Sequence, residues 1–360
     1  MRIPPFITTA AMPALAMALA LGLSPAGANA PTQARDSWRW TPLSTGSGAR
    51  LRGVSAVTDR VVWASGTNGT ILRTADGGAS WQTLLVPGTE KLDFRDIDAV
   101  DETTAYALSI GSGELSRIYK TADAGRTWTE QFVNRDPKAF FDAMAFWDAK
   151  RGVAISDSVD GQFVILMTAD GGASWERVPA AALPPALANE GFFAASGTNV
   201  TVAAPNHVWL GTGAASEARV LRSSDGGRTW TVVKAPLDAG PSAGIFSIAF
   251  SDAQHGIVVG GDYKAETAAG NNAATTTDGG ATWAAVKGLS GFRSVVAYAP
   301  GNATTIVAVG PAGTDVSNDR GRTWSPIAGP GFHAFSFARR GTAGFGVGEK
   351  GTAAMLGPSQ

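Results

Sequence analysis

The chain has 360 residues, 29 Lys and Arg against 30 Asp and Glu, a formal net charge of −1 and no cysteine. The near-neutral balance argues against a nucleic-acid partner, which normally leaves a strongly basic footprint, and the missing thiol excludes disulfides, a lipidated cysteine, thiolate metal sites and cysteine nucleophiles. With 45 glycines, 11 tryptophans and only 16% charged residues, the composition suits many short strands and tight turns around a large core.

In chain order, residues 1–30 have the form of a secretory signal. Arg2 gives a positive start, Ala10 to Leu23 is uncharged and mostly apolar, and Ala28-Asn29-Ala30 fits a small-x-small cleavage site. Cleavage near Ala30 is expected to leave residues 31–360 as a single domain in the periplasm or the medium. Loss of Arg2 moves the net charge from −1 to −2. No later stretch holds about 18 consecutive apolar residues, so no membrane span is expected in the mature chain.

From residue 74 onward a motif of the form Ser/Thr-x-Asp-x-Gly-x-Ser/Thr-Trp recurs six times. Its aspartates are Asp76, Asp123, Asp170, Asp225, Asp278 and Asp319, at intervals of 47, 47, 55, 53 and 41 residues. A period of that size is the mark of a repeat architecture. Asp with Gly two residues on makes a turn, because the short carboxylate accepts backbone N–H bonds while glycine takes positive φ. Apolar runs such as Thr70 to Arg73 precede it and alternating stretches such as Trp81 to Leu85 follow it, so each motif joins two antiparallel strands.

These residues resemble the Asp-box, or BNR repeat. The resemblance implies an all-β fold of four-stranded antiparallel propeller blades, with each box on the outer corner between the third and fourth strands. It makes the six aspartates turn braces, remote from any central site. Blades are expected over residues 50–87, 91–134, 139–180, 196–236, 244–287 and 291–328. A seventh, boxless stretch over 332–358 has three strands, and Ser37 to Leu43 resembles the strand that follows every box. The N-terminal strand is therefore expected to complete the last blade and close a seven-bladed ring, removing a free sheet edge. Pro179 to Phe193 and Asp262 to Asn272 stretch the period and read as long loops on a rigid scaffold.

In such a blade the first residues of the innermost strand ring the channel mouth. Alignment places Arg52, Arg95 and Arg293 in one slot, with Phe141-Asp142 and Phe332-His333 there in two other blades. Converging guanidiniums would read a carboxylate or phosphate, so Arg52, Arg95, Asp96, Arg293 and His333 are candidate ligand-binding residues. Acidic groups on the same face include Asp142, Asp157, Asp160, Glu190, Asp262 and Glu349. Of these, Asp142, Asp157, Glu190 and Asp262 are candidates for paired-carboxylate work on a glycoside. His207, His255 and His333 fall at non-equivalent positions, so neither a metal nor a cofactor is expected.

The exported seven-bladed family typified by photosystem II assembly and stability factors is similar in its blade openings. Arg52 to Val57 followed by Val62 to Thr74 matches that pattern. The resemblance implies a binding scaffold, and with the arginine-rimmed face the expectation is a non-catalytic, monomeric ring that binds a protein or an anionic or carbohydrate ligand there. Sialidases are more distantly similar. Their Arg-Ile-Pro-like motif occurs here only as Arg2-Ile3-Pro4 in the leader, and Tyr106, Tyr119, Tyr263 and Tyr298 sit in no recognisable version of their nucleophile setting. A glycoside hydrolase using channel carboxylates is the alternative.

Overall fold

The computed structural model describes residues 38–358, so the expected leader and Ser37 lie outside the described residues. Seven four-stranded antiparallel sheets follow one another. The first blade holds β2 (Leu51–Ala56), β3 (Val62–Gly66), β4 (Ile71–Thr74) and β5 (Gln82–Leu84), ordered from channel to rim. Innermost strands of the next five blades are β6 (Asp93–Ala99), β10 (Phe141–Phe146), β14 (Val200–Ala203), β18 (Ala243–Phe250) and β22 (Val295–Ala299). The seventh blade runs β26 (Ala334–Phe337), β27 (Gly344–Val347), β28 (Thr352–Pro358) and then β1 (Trp38–Ser44). Innermost strands touch in cyclic order and β26 returns to β2, which closes the ring.

Closure by the N-terminal strand is as the sequence led one to expect. β1 pairs with β28 from Trp38↔Pro358 to Ser44↔Thr352. Trp40 is buried with its ring centroid 4.5 Å from that of Phe332. The core is distributed between blades, where apolar faces of adjacent sheets meet. Trp63 of the first blade packs edge-on against Trp128 of the second at 6.2 Å.

Each repeated motif forms the corner between the third and fourth strands of its blade. In the first, the Asp76 carboxylate accepts bonds from the Ser80 N–H at 2.9 Å, the Ser80 hydroxyl at 2.6 Å and the Thr74 hydroxyl at 2.7 Å. The same bonds recur at Asp123, Asp170, Asp225, Asp278 and Asp319. Hydrogen bonding by the Thr127 hydroxyl first, then by its amide, holds Asp123 down to about 2. The box corner contacts the loop between β2 and β3, where Gly77 N–H donates to Arg60 C=O at 2.9 Å. This places the boxes at the end of the ring opposite the starts of the innermost strands.

Candidate functional site

Innermost strands open on a bulge, one extra residue that breaks the ladder and redirects a side chain. Register shifts fall at Arg52 (between Leu51 and Gly53), Arg95 (between Phe94 and Asp96), Asp142 (between Phe141 and Ala143) and Phe246 (between Ile245 and Ser247). Ser294 N–H donates to Val309 C=O although Val309 already pairs with Val295, and His333 N–H does the same at Val347, which pairs with Ala334. Six blades thus present Arg52, Arg95, Asp142, Phe246, Ser294 and His333, and all six line one cavity of about 720 Å³ at the channel mouth.

The fourth blade behaves differently. Its innermost strand begins at Val200 rather than at 196, and the chain before it crosses the channel as a strap. Arg52 Nε donates to Ala195 C=O at 3.1 Å, an Arg95 terminal nitrogen donates to Ala194 C=O at 3.0 Å, and the Ser196 hydroxyl donates to Ser294 C=O at 2.9 Å. The strap floors the mouth cavity and separates it from a second cavity of about 440 Å³ at the box end, lined by Asp96, Asp98, Ser196 to Thr198 and Arg339. Gly197 makes the crossing possible. Its φ is +75° and an added Cβ would stand 2.1 Å from Asp96 Oδ1.

Glu190 anchors the strap. Its carboxylate is fully buried, is ion-paired with Arg219, and accepts from the Thr212 hydroxyl at 2.7 Å, Arg219 Nε at 2.8 Å and Leu187 N–H at 2.8 Å. With both oxygens bonded, it has no lone pair to spare for acid–base work, which corrects its candidacy as a catalytic group. Asp262 accepts from Lys264 N–H at 2.8 Å in a turn and does not line the cavity. Asp160 pairs with Lys138 at 2.9 Å.

The basic groups divide sharply by partner. Arg95 is neutralised by Asp93 at 2.9 Å, and Arg50 by Glu349 at 2.6 Å. His333 Nε2 lies 2.8 Å from the same Glu349, and burial first, then Arg52, lowers its pKa below the ordinary histidine value. Arg52 has no carboxylate partner among the described residues. Burial first, then the neighbouring Arg95 and Arg50 charges, lower its pKa from the usual guanidinium value, against the opposing pull of Asp93 and Glu349, which are themselves paired with Arg95 and Arg50. Arg293 proves to be a different case. The sixth innermost strand starts at Val295, one residue later than the alignment assumed, which puts Ser294 in the slot. Arg293 is buried in an ion pair with Asp315 at 2.7 Å and also donates to Phe292 C=O at 2.7 Å, off the cavity wall. Asp96 also leaves the mouth, lying behind the strap with Oδ2 accepting from Met144 N–H at 2.7 Å.

Two carboxyls share the wall of the third blade. Burial pushes Asp157 up to about 6, partly offset by the Phe192 N–H bond to Oδ1 at 2.8 Å. Burial first and Asp157 second push Asp142 well above the ordinary value, and its buried Oδ2 has no partner. Sequence reasoning missed Phe246, Ser294 and the strap residues Ala194 and Ala195. The bulge slot was visible at Arg52 and Arg95, but nothing in the sequence marks the one-residue offset before Val295. No group of three His, Asp or Glu side chains among the described residues is arranged to hold a metal ion, and no helix there is long and apolar enough to cross a membrane.

No protein-family model and no curated protein matches the chain. Among solved structures it is similar to YCF48 bound to a D1 peptide, with a TM-score of 0.64 and 17% identity over 89% of this chain and 97% of that one. It is similar also to YCF48 from Cyanidioschyzon merolae, with a TM-score of 0.62 and 16% identity over 89% and 98%. The GH74 xyloglucanase from Xanthomonas campestris gives a TM-score of 0.61 and 19% identity over 88% of this chain but 53% of the enzyme, so the chain spans about half of its length. Likeness at these identities shows the propeller fold alone, and fold does not choose between a binding and a catalytic role.

Proposed function

We propose that the chain is an exported, non-catalytic propeller that binds a protein segment or an anionic ligand at the channel mouth. The observation that carries this reading is Arg52, a half-buried guanidinium in a large open cavity with no ion-pair partner of its own, since the nearby Asp93 and Glu349 are paired with Arg95 and Arg50. Its Nε is held by Ala195 C=O, which fixes the fork and leaves the terminal nitrogens to meet a ligand. The cavity volume is of the size that accommodates small ligands or a few residues of a peptide. Similarity to YCF48 in a complex with a peptide supports a binding role for this kind of ring. An array of acidic peptides probed with residues 31–360 tests it: binding lost in Arg52→Ala supports the reading, and binding indifferent to Arg52 contradicts it.

One observation favours a carbohydrate-active enzyme instead. Asp142 and Asp157 line the same cavity and both hold their protons more tightly than ordinary carboxyls, as a general acid must. The GH74 neighbours make a polysaccharide the natural substrate to try. Release of reducing ends from xyloglucan or another β-glucan, abolished by Asp142→Asn, would replace the binding reading.

A further inference from the structure

The mouth has two chemically distinct halves. Arg50, Arg52 and Arg95 stand on the first two blades, while an aromatic wall stands on the strap and the fifth blade. Phe193 of the strap stacks on Phe246 at 4.0 Å with an interplanar angle of 5°, and Tyr263 lies edge-on to Phe193 at 6.1 Å. Phe193 is wedged in place, since a Cβ on Gly213 would meet its ring at 2.3 Å. Even so it remains partly exposed, and Tyr263 is 43% exposed in a fold that hides nearly every other large apolar side chain.

The strap also ties the two halves together. Phe193 carries the aromatic face, and two residues on Ala195 C=O holds Arg52. Two residues of extended chain span at most about 7 Å, so the two anchor points on the strap backbone are close and a short-spacer ligand is the one the arrangement points to. The charge balance limits the anion. One guanidinium without an ion-pair partner matches a single negative charge, and the carboxylates already close to it, Asp93 and Glu349, oppose a second.

We propose that the mouth selects a carboxylate joined by a short spacer to an aromatic ring, with the carboxylate on the Arg52 terminal nitrogens and the ring on the Phe193–Tyr263 face. This inference rests on the anion-binding reading above and names the ligand class of that same site. Ring contacts of this type add selectivity beyond the area they bury.

The test is calorimetric titration of residues 31–360 with acetate, 3-phenylpropionate, 3-phenylpropanol and the blocked dipeptide acetyl-Asp-Phe-amide. One aromatic carboxylate, free or peptide-borne, should bind at least about tenfold more tightly than acetate and than the alcohol. Tyr263→Ser, at an exposed position, should reduce that gain several-fold while acetate, which reaches only Arg52, binds as before. The free acid as the better ligand would point to a small molecule, and the dipeptide to a protein segment. Acetate binding as tightly as 3-phenylpropionate, with both dependent on Arg52, overturns this inference and leaves the anion reading standing. Absence of binding by every carboxylate to the folded protein overturns both.

Discussion

Replacing Asp157 by Asn should stabilise the folded protein at neutral pH and do almost nothing in acid. Burial raises this carboxyl to about 6 from an ordinary value of 3.8, so the folded chain holds the proton more tightly than the unfolded chain. A raised carboxyl makes stability fall as pH climbs from the unfolded value towards the folded one. At about 1.4 kcal/mol per unit, roughly two units amount to about 2 to 3 kcal/mol lost by neutral pH. Asn keeps an oxygen to accept the Phe192 N–H and carries no charge at any pH. Because Asp142 titrates beside it, the transition belongs to the pair and broadens accordingly. Urea unfolding of Asp157→Asn and the parent, at pH near 7 and again near 4, reads the difference directly. A gain of similar size at both pH values, or a loss at neutral pH, would refute the assignment of a desolvated carboxyl at this position.

Trp40→Ala should destabilise the whole ring by about 3 to 5 kcal/mol in equilibrium unfolding, because the indole fills the junction of β1 with Phe332 and Phe335; a loss confined to the N-terminal strand would contradict ring closure as a cooperative element. Gly197→Ala should cost about 1 to 3 kcal/mol and disturb the mouth, since it combines a positive φ with a clash against Asp96; a neutral result would show that the strap can re-route. Asp123→Ala should lower the melting temperature at neutral pH while sparing ligand binding. Its depressed pKa contributes stability above the unfolded value near 4 that is lost as pH falls through about 2, so variant and parent should converge in strong acid.

The periodic parts of the molecule were legible because a repeat states the same local physics six times. An Asp turn followed by a half-buried Trp identifies a strand corner wherever it occurs, and three strands left over at the C-terminal end with one at the N-terminal end pointed to closure, which Trp38 to Ser44 provides. What was not legible depends on offsets of a single residue and on long-range bonds. Arg293 resembles Arg52 in sequence, yet one more residue before the sixth innermost strand turns it towards Asp315 and hands the channel slot to Ser294. Glu190 looked like a loop carboxylate available for chemistry, but Arg219, 29 residues on, saturates it. The 179–193 insertion was recognisable as unusual, whereas the crossing by the residues after it depends on carbonyls of Ala194 and Ala195 meeting arginines from two other blades.

The central claim is that Arg52 reads an anion at the mouth of the channel, and affinity for a carboxylate ligand measured on Arg52→Ala and Arg52→Lys against the parent tests it most directly. The account predicts a loss of about tenfold or more for Arg52→Ala and incomplete recovery for Arg52→Lys because an ammonium lacks the bidentate fork, in variants that unfolding shows to remain folded despite the lost bond to Ala195 C=O. Undiminished affinity in Arg52→Ala, with the fold intact, would contradict it.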